Sequence, residues 1–172
     1  LLKLAFFADR YHIRNFARHV SGDIYYAMKL GPVPSNLKDI IDVQDFYSEN
    51  ITKIVIYNVH LKSNTKIDKT QFSKSDIEAI EFSVNNFSMI GFNQYSIATL
   101  THAYPEWDKY RLQFDNGDII REEMDYRDFL LNAKPSHPEF ANLNFKDPFP
   151  PLSDSDRKEL IDEIEEMNLL YG

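Results

Sequence analysis

The sequence predicts an α+β fold, a predominantly helical single domain with a small antiparallel β-sheet. Three observations carry that expectation. Apolar residues recur at three- and four-residue spacing near residues 1–17, 73–87 and 153–170. β-Branched and aromatic residues crowd residues 52–62. Asn116-Gly117 stands between two short apolar runs, the local signature of a hairpin. A chain of 172 residues with 43% hydrophobic and 27% charged side chains can close one sizeable core and is not compositionally disordered. Aromatics make up 14% of it, mostly 13 Phe and 10 Tyr, so the core or an interface is expected to be aromatic-rich.

The elements follow in order. Leu1, Leu4, Ala5, Ala8, Tyr11 and His12 make one apolar face of a first helix, with Lys3, Asp9, Arg10 and Arg14 largely off it. His12 on that face reads as a satisfied core histidine. Ser21-Gly22-Asp23 breaks the helix. Residues 22–34 then place Tyr25, Tyr26, Ala27, Met28 and Leu30 before Gly31-Pro32-Val33-Pro34, where the prolines fix φ and Gly31 alone is free to take positive φ. That is either a rigid non-helical corner between apolar helical segments or an exposed platform presenting Tyr25, Tyr26 and Lys29 to a partner. Ser35 can cap a helix through Leu37, Ile40 and Ile41 towards Val43 and Phe46. Residues 52–62, with Ile54, Ile56, Tyr57 and Val59, read as a strand, and 62–69 as a polar turn leading back through Ile67.

Ser73 caps the clearest helix, with Asp76 in its first turn, a Phe72–Ile77 staple, and Ile77, Ile80, Val84 and Phe87 as a core stripe before Gly91. Ile97, Leu100, Thr101 and Tyr104 form another helix that stops at Pro105, and Trp107, the sole tryptophan, reads as a core anchor. Residues 112–120 are expected to form the Asn-Gly hairpin, and Met124–Leu131 a short helix. Five prolines between residues 133 and 151 rule out a regular helix there. Ser153 with Asp154 and Asp156 opens a final acidic amphipathic helix, a capped segment on a proline-rich tether that docks either on its own domain or on a partner.

The run Phe7-Ala8-Asp9-Arg10-Tyr11-His12, then Gly22-Asp23, Tyr26-Ala27-Met28-Lys29 and Gly31-Pro32-Val33-Pro34-Ser35, resembles the opening of the Panacea domain, which defines SocA-like antitoxins of bacterial and phage toxin–antitoxin pairs. A second block, Ser73-x-Ser75-Asp76-Ile77-Glu78-Ala79-Ile80 with Leu100-Thr101-His102 and Pro105-Glu106-Trp107, extends the resemblance to about residue 110. Residues 111–172 match nothing comparable. The chain is expected to divide into a Panacea-like core at 1–132, a proline-rich connection at 133–152 and a C-terminal acidic amphipathic helix at 153–172. It implies a protein that binds and neutralises a cognate toxin. Toxins paired with this family include small alarmone-synthetase-like enzymes that transfer pyrophosphate from ATP. An adaptor that hands the toxin to a protease is the alternative within the family.

Composition narrows the function further. Residues 1–86 hold 11 Lys/Arg against 10 Asp/Glu, and residues 87–172 hold 8 against 17, so a net of +1 faces a net of −9. An acidic half with no basic recognition helix argues against an autoregulatory DNA binder and an anionic membrane, and fits either a basic protein surface or a solvated acidic face that aids solubility. Without cysteine there is no disulfide, cysteine-ligated zinc or cysteine nucleophile, which suits a cytoplasmic protein. No apolar run nears the roughly 20 residues that span a bilayer. Leu1 is not an initiating residue, so further residues are expected to precede it.

Five scattered glycines build no phosphate loop, and no nucleophile elbow or zinc-binding helix motif occurs. His102 and Glu106 are four apart, yet Pro105 splits them. No enzyme activity, cofactor or metal is therefore expected. The residues expected to meet a partner are Tyr25, Tyr26 and Lys29, with Glu159, Asp162, Glu163 and Glu166 of the last helix. Asp9, Tyr11, Gly31, Pro32, Pro34 and Trp107 are expected to hold the fold.

Overall fold

The computed structural model describes residues 1–42, 51–55, 59–63, 66, 68–89 and 94–171. In chain order the first half comprises α1 (Leu2–Phe16), β1 (Tyr25–Met28), β2 (Gly31–Pro34), α2 (Ser35–Asp42), β3 (Ile51–Val55), β4 (Val59–Ser63) and α3 (Lys74–Phe87). The second half comprises α4 (Gln94–Thr101), α5 (Pro105–Asp108), α6 (Arg111–Asn116), β5 (Arg121–Glu123), α7 (Pro138–Asn142) and α8 (Asp154–Tyr171). Short 3-10 turns lie at Lys69–Gln71 and Tyr126–Leu130. The fold is α+β and mostly helical, with a three-stranded antiparallel sheet ordered β2-β1-β5 and a separate β3-β4 hairpin. The expected return strand through Ile67 and the positions Val43, Phe46, Ile56, Tyr57 and Gly91 lie outside the described residues.

Helix α1 is the centre of the packing. It touches α3, β2, the 126–130 turn, α4 and α8. Phe6 and Phe7 are fully buried, and Phe7 stacks on Phe87 of α3 with centroids 3.7 Å apart. Tyr25, Tyr104, Phe129 and Phe149 pack around Phe6 and Phe7 at edge-on or tilted angles, the arrangement the ring quadrupole favours. Many of the described aromatics thus share one core, which also takes Phe140 of the proline-rich stretch and Ile164 of α8. The helix ends at Ala17, whose φ of 53° places a non-glycine residue in the left-handed cap.

Asp9, Arg10 and Arg14, expected off the apolar face, are all buried. Charges enclosed in a core persist only where partners are fixed. Asp9 accepts from the Val20 and Ser21 amides and from Tyr25 Oη at 2.7 Å, which holds the chain reversal into β1. Arg10 donates to Glu106 Oε1 at 2.6 Å and to the Phe129 and Leu131 carbonyls. Its guanidinium lies 4.6 Å from the Tyr104 ring centroid. Arg14 donates to the Leu130 and Leu131 carbonyls, to Asn132 and to the Pro150 carbonyl. Two arginines on the first helix therefore anchor three stretches from the second half of the chain.

Residues 22–34, expected as a corner between helical segments, form the β1-β2 hairpin instead. Tyr25 pairs with Pro34 and Ala27 with Pro32, and the Ser35 amide donates to the Ile24 carbonyl. That register puts both prolines at positions facing away from β1, where a missing N–H costs nothing. Gly31 takes φ 93°, and a Cβ there would lie 2.1 Å from Thr101 Oγ1. Trp107 Nε1 donates to the Met28 carbonyl, so the expected anchor also pins the hairpin end. Helix α2 starts at Ser35 as expected, but Asp23 accepts from its first amides, Asn36 and Leu37, across the hairpin.

Three further segments differ from expectation. Ile51–Val55 and Val59–Ser63 are two antiparallel strands in register Ile51 to Ser63, not one strand followed by a turn. The α3 capping box forms between Ser73 and Asp76, but Ala79, Ser83 and Phe87 face the core while Ile80 and Val84 are exposed. The core-facing stripe is rotated because Ser83 donates to the Leu4 carbonyl and lets α3 approach α1 closely. Residues 111–116 are helical, and Gly117 at φ 78° is the left-handed residue that ends α6, not half of a hairpin turn. Phe114 stacked on Trp107 rewards the helix, and only one positive φ is then needed. The Asn-Gly signal marked a turn correctly and its type wrongly.

Candidate partner-binding surface

The residues expected at an interface separate on folding into one buried side chain, one exposed hairpin and one helical face. Tyr25 is fully buried and its hydroxyl is committed to Asp9; burial, then the Asp9 carboxylate, push its pKa well above the usual phenol value. It holds the fold and is closed to a partner, a correction to the sequence expectation. Tyr26 alternates to the outer face of the sheet, half-buried, with the Arg121 guanidinium 5.0 Å from its ring centroid. Lys29 is exposed in the turn that follows β1. Among the described residues no hydrogen bond, ion pair or ring contact joins Tyr26 or Lys29 to α8.

Helix α8 is placed by a capping box in which Ser153 Oγ accepts the Asp156 amide and Asp156 Oδ2 accepts the Ser153 amide. Asp154 and Asp156 complement the positive end of the helix dipole. Its inner side buries Ile164 and half-buries Leu160 and Ile161 against α1 and the 126–130 turn. Arg127 reaches Glu165 at 3.6 Å while holding Asp125, which adds a lateral tie at the surface. Between them lies a groove of about 540 Å³ floored by Ile13, Ala17 and Ile164. His19 lines it, stacked on Tyr126, and burial lowers its pKa.

The outer side of α8 is the sharper feature. Glu159, Asp162, Glu163 and Glu166 fall at helical spacing on one face, and all four are exposed. None is ion-paired among the described residues. The same face continues into Leu169 and Leu170, 87% and 64% exposed, so an acidic stripe runs into an uncovered apolar end. The four carboxylates were legible in the sequence. The exposure of the two leucines was not legible, because sequence periodicity cannot say where the domain stops covering a helix.

The histidines join no group that could hold a metal ion among the described residues. His12 is buried between the Arg18 carbonyl, 2.7 Å from Nδ1, and Ser75 Oγ, 3.0 Å from Nε2, as a satisfied core residue. His102 stacks on Trp107 at 3.6 Å, and burial with the nearby Arg111 and Lys3 charges lowers its pKa to about 4. Glu106 does not join it; it is turned into Arg10, with burial raising its pKa against that cation. Among the described residues no helix is long and apolar enough to cross a membrane.

Comparison with protein families places the chain. The family described as antitoxin SocA-like, Panacea domain, matches residues 1–108. The protein belongs to the SocA-like Panacea family. Searches of curated proteins and of solved structures return no significant match. The matched region covers α1, the β1-β2 hairpin and α3 through α5, which include Asp9, Arg10, Gly31 and Trp107 of the core. Family membership supports an antitoxin role and implies a toxin as partner. The α8 face lies beyond the matched region.

Proposed function

We propose that this protein is an antitoxin that neutralises a cognate protein toxin by binding it directly through the outer face of α8. The observation that carries this reading is the exposed stripe Glu159, Asp162, Glu163 and Glu166, held on a helix whose inner side is fixed to the core. Like charges three and four residues apart each weaken an isolated helix by about 0.2–0.5 kcal/mol. A basic partner removes that repulsion, gains complementarity and accelerates encounter. Leu169 and Leu170 supply the apolar contact that charge alone lacks. The basic surface that best fits is the nucleotide pocket of a small alarmone-synthetase-like toxin, where an inserted acidic helix would exclude ATP. Tyr26 and Lys29 belong to a separate part of the surface and are assigned a secondary contact.

The test is co-expression with the toxin of the neighbouring reading frame, scoring growth rescue and co-purification together. Replacing the four carboxylates by their amides, Glu159→Gln, Asp162→Asn, Glu163→Gln and Glu166→Gln, should slow association, flatten its salt dependence and abolish rescue. Unchanged affinity and rescue would remove α8 from the interface. Rescue that needs an intact protease, with no stable complex, would replace blocking by delivery for degradation.

A further inference from the structure

The three-stranded sheet has two edges, and only one is closed. On β5 the Met124 amide donates to the Tyr25 carbonyl, which makes Tyr25–Met124 and Ala27–Glu122 the hydrogen-bonded pairs of the ladder. The main-chain groups of Arg121 and Glu123 therefore point away from β1. The Glu123 carbonyl accepts from Tyr110 Oη at 3.1 Å. The Glu123 amide and both main-chain groups of Arg121 have no partner among the described residues, and all three β5 residues are exposed.

The surroundings of this edge differ from those of a protected one. Ile120, directly before β5, is 84% exposed, and Leu30 at the adjacent hairpin turn is 61% exposed. Asp115, Asp118, Glu122 and Glu123 against Arg121 give residues 115–123 a net charge of −3. A second copy pairing edge to edge would set −3 against −3. A strand bearing lysine or arginine at alternate positions would instead set those cations on one face, opposite Glu122, where their aliphatic stems can lie against Ile120.

We propose that the open β5 edge, Arg121–Glu123, takes an extended basic segment of a partner protein as a fourth strand of the sheet. This is independent of the α8 face and stands whichever partner that face binds. Main-chain pairing supplies the attachment, and the acidic rim with Ile120 supplies the selection.

The experiment is a titration of isotope-labelled protein with a synthetic peptide of about eight residues alternating lysine and valine. Amide signals of Arg121 and Glu123 should shift most and gain protection from exchange. The same peptide N-methylated on alternate residues keeps its charge but cannot pair, and should bind about tenfold or more weakly. Arg121→Pro removes the edge amide and should lose binding to the same extent, whereas Arg121→Ala, which keeps that amide, should retain most of it. Equal binding of the N-methylated peptide, or shifts centred on α8, would overturn the proposal in favour of charge attraction alone. An edge-dependent dimer without peptide would overturn it in favour of a second copy. The N-methylated arm uses the unaltered protein and decides the question even where Arg121→Pro does not fold.

Discussion

The two edges of one small sheet are finished in opposite ways. On β2 the outward positions are Pro32 and Pro34, which have no N–H to offer; Lys3 Nζ donates to the Pro32 carbonyl at 2.6 Å, and α1 and α4 cover the strand. On β5 the outward positions are Arg121 and Glu123, exposed and with unused main-chain groups among the described residues. An edge enclosed by its own chain must be satisfied internally, because no water reaches it. An edge left in solvent can keep its hydrogen bonds available, and charge decides what it accepts.

Proline and glycine substitutions along the sheet break or sharpen that contrast. The largest effect is expected from Ala27→Pro, which removes a ladder amide in the central strand; denaturant titration should show a loss above about 3 kcal/mol. Gly31→Ala follows, at about 3 kcal/mol, because the residue must hold φ 93° while its Cβ meets Thr101. Arg121→Pro is the smallest, within about 1 kcal/mol, since its amide bonds nothing in the ladder. A loss at Arg121 comparable to that at Ala27 would mean that the β5 edge is not open.

Lys3 adds a pH signature to the closed edge. Burial lowers its pKa to about 7 from the ordinary 10.5. The unfolded chain then holds more protons than the folded one between about pH 7 and 10.5, so this group makes stability rise with pH across that window. Below about pH 7 both states are charged and the penalty of burying the ammonium is fully present. Lys3→Met should abolish the rise, read as the difference between variant and parent melting curves from pH 6 to 10. A parallel pair of curves would place Lys3 in solvent.

Much of this was legible because it is local. Ser73 and Asp76 cap α3 as their spacing requires and Ser153 and Asp156 cap α8, whereas α4 already ends at Thr101 and Pro105 opens α5. The acidic stripe of α8 was legible for the same reason, since helical periodicity alone puts Glu159, Glu163 and Glu166 on one face. Tyr25 and Tyr26 show the limit. Both are tyrosines of one strand, yet alternation sends one to Asp9 in the core and the other to the surface, and the phase of that alternation depends on pairing with β2 and β5. Asn116-Gly117 shows a second limit. A local signal for positive φ fits a hairpin and a helix end equally, and the stack of Phe114 on Trp107 selects the helix end.

By itself the sequence determined the family, the helical character and its caps, a glycine at position 31 free to take positive φ, and an acidic second half. Those properties follow from residue identity, spacing and short-range sterics. Only the tertiary structure decided that Arg10 and Arg14 are internal, that Glu106 serves Arg10 instead of His102, that Tyr25 is closed to partners, and that one sheet edge is sealed and the other open. Burial and ladder register are properties of contacts between residues far apart in the chain. Arg10 and Glu106, 96 residues apart, acquire their roles only when α1 is enclosed.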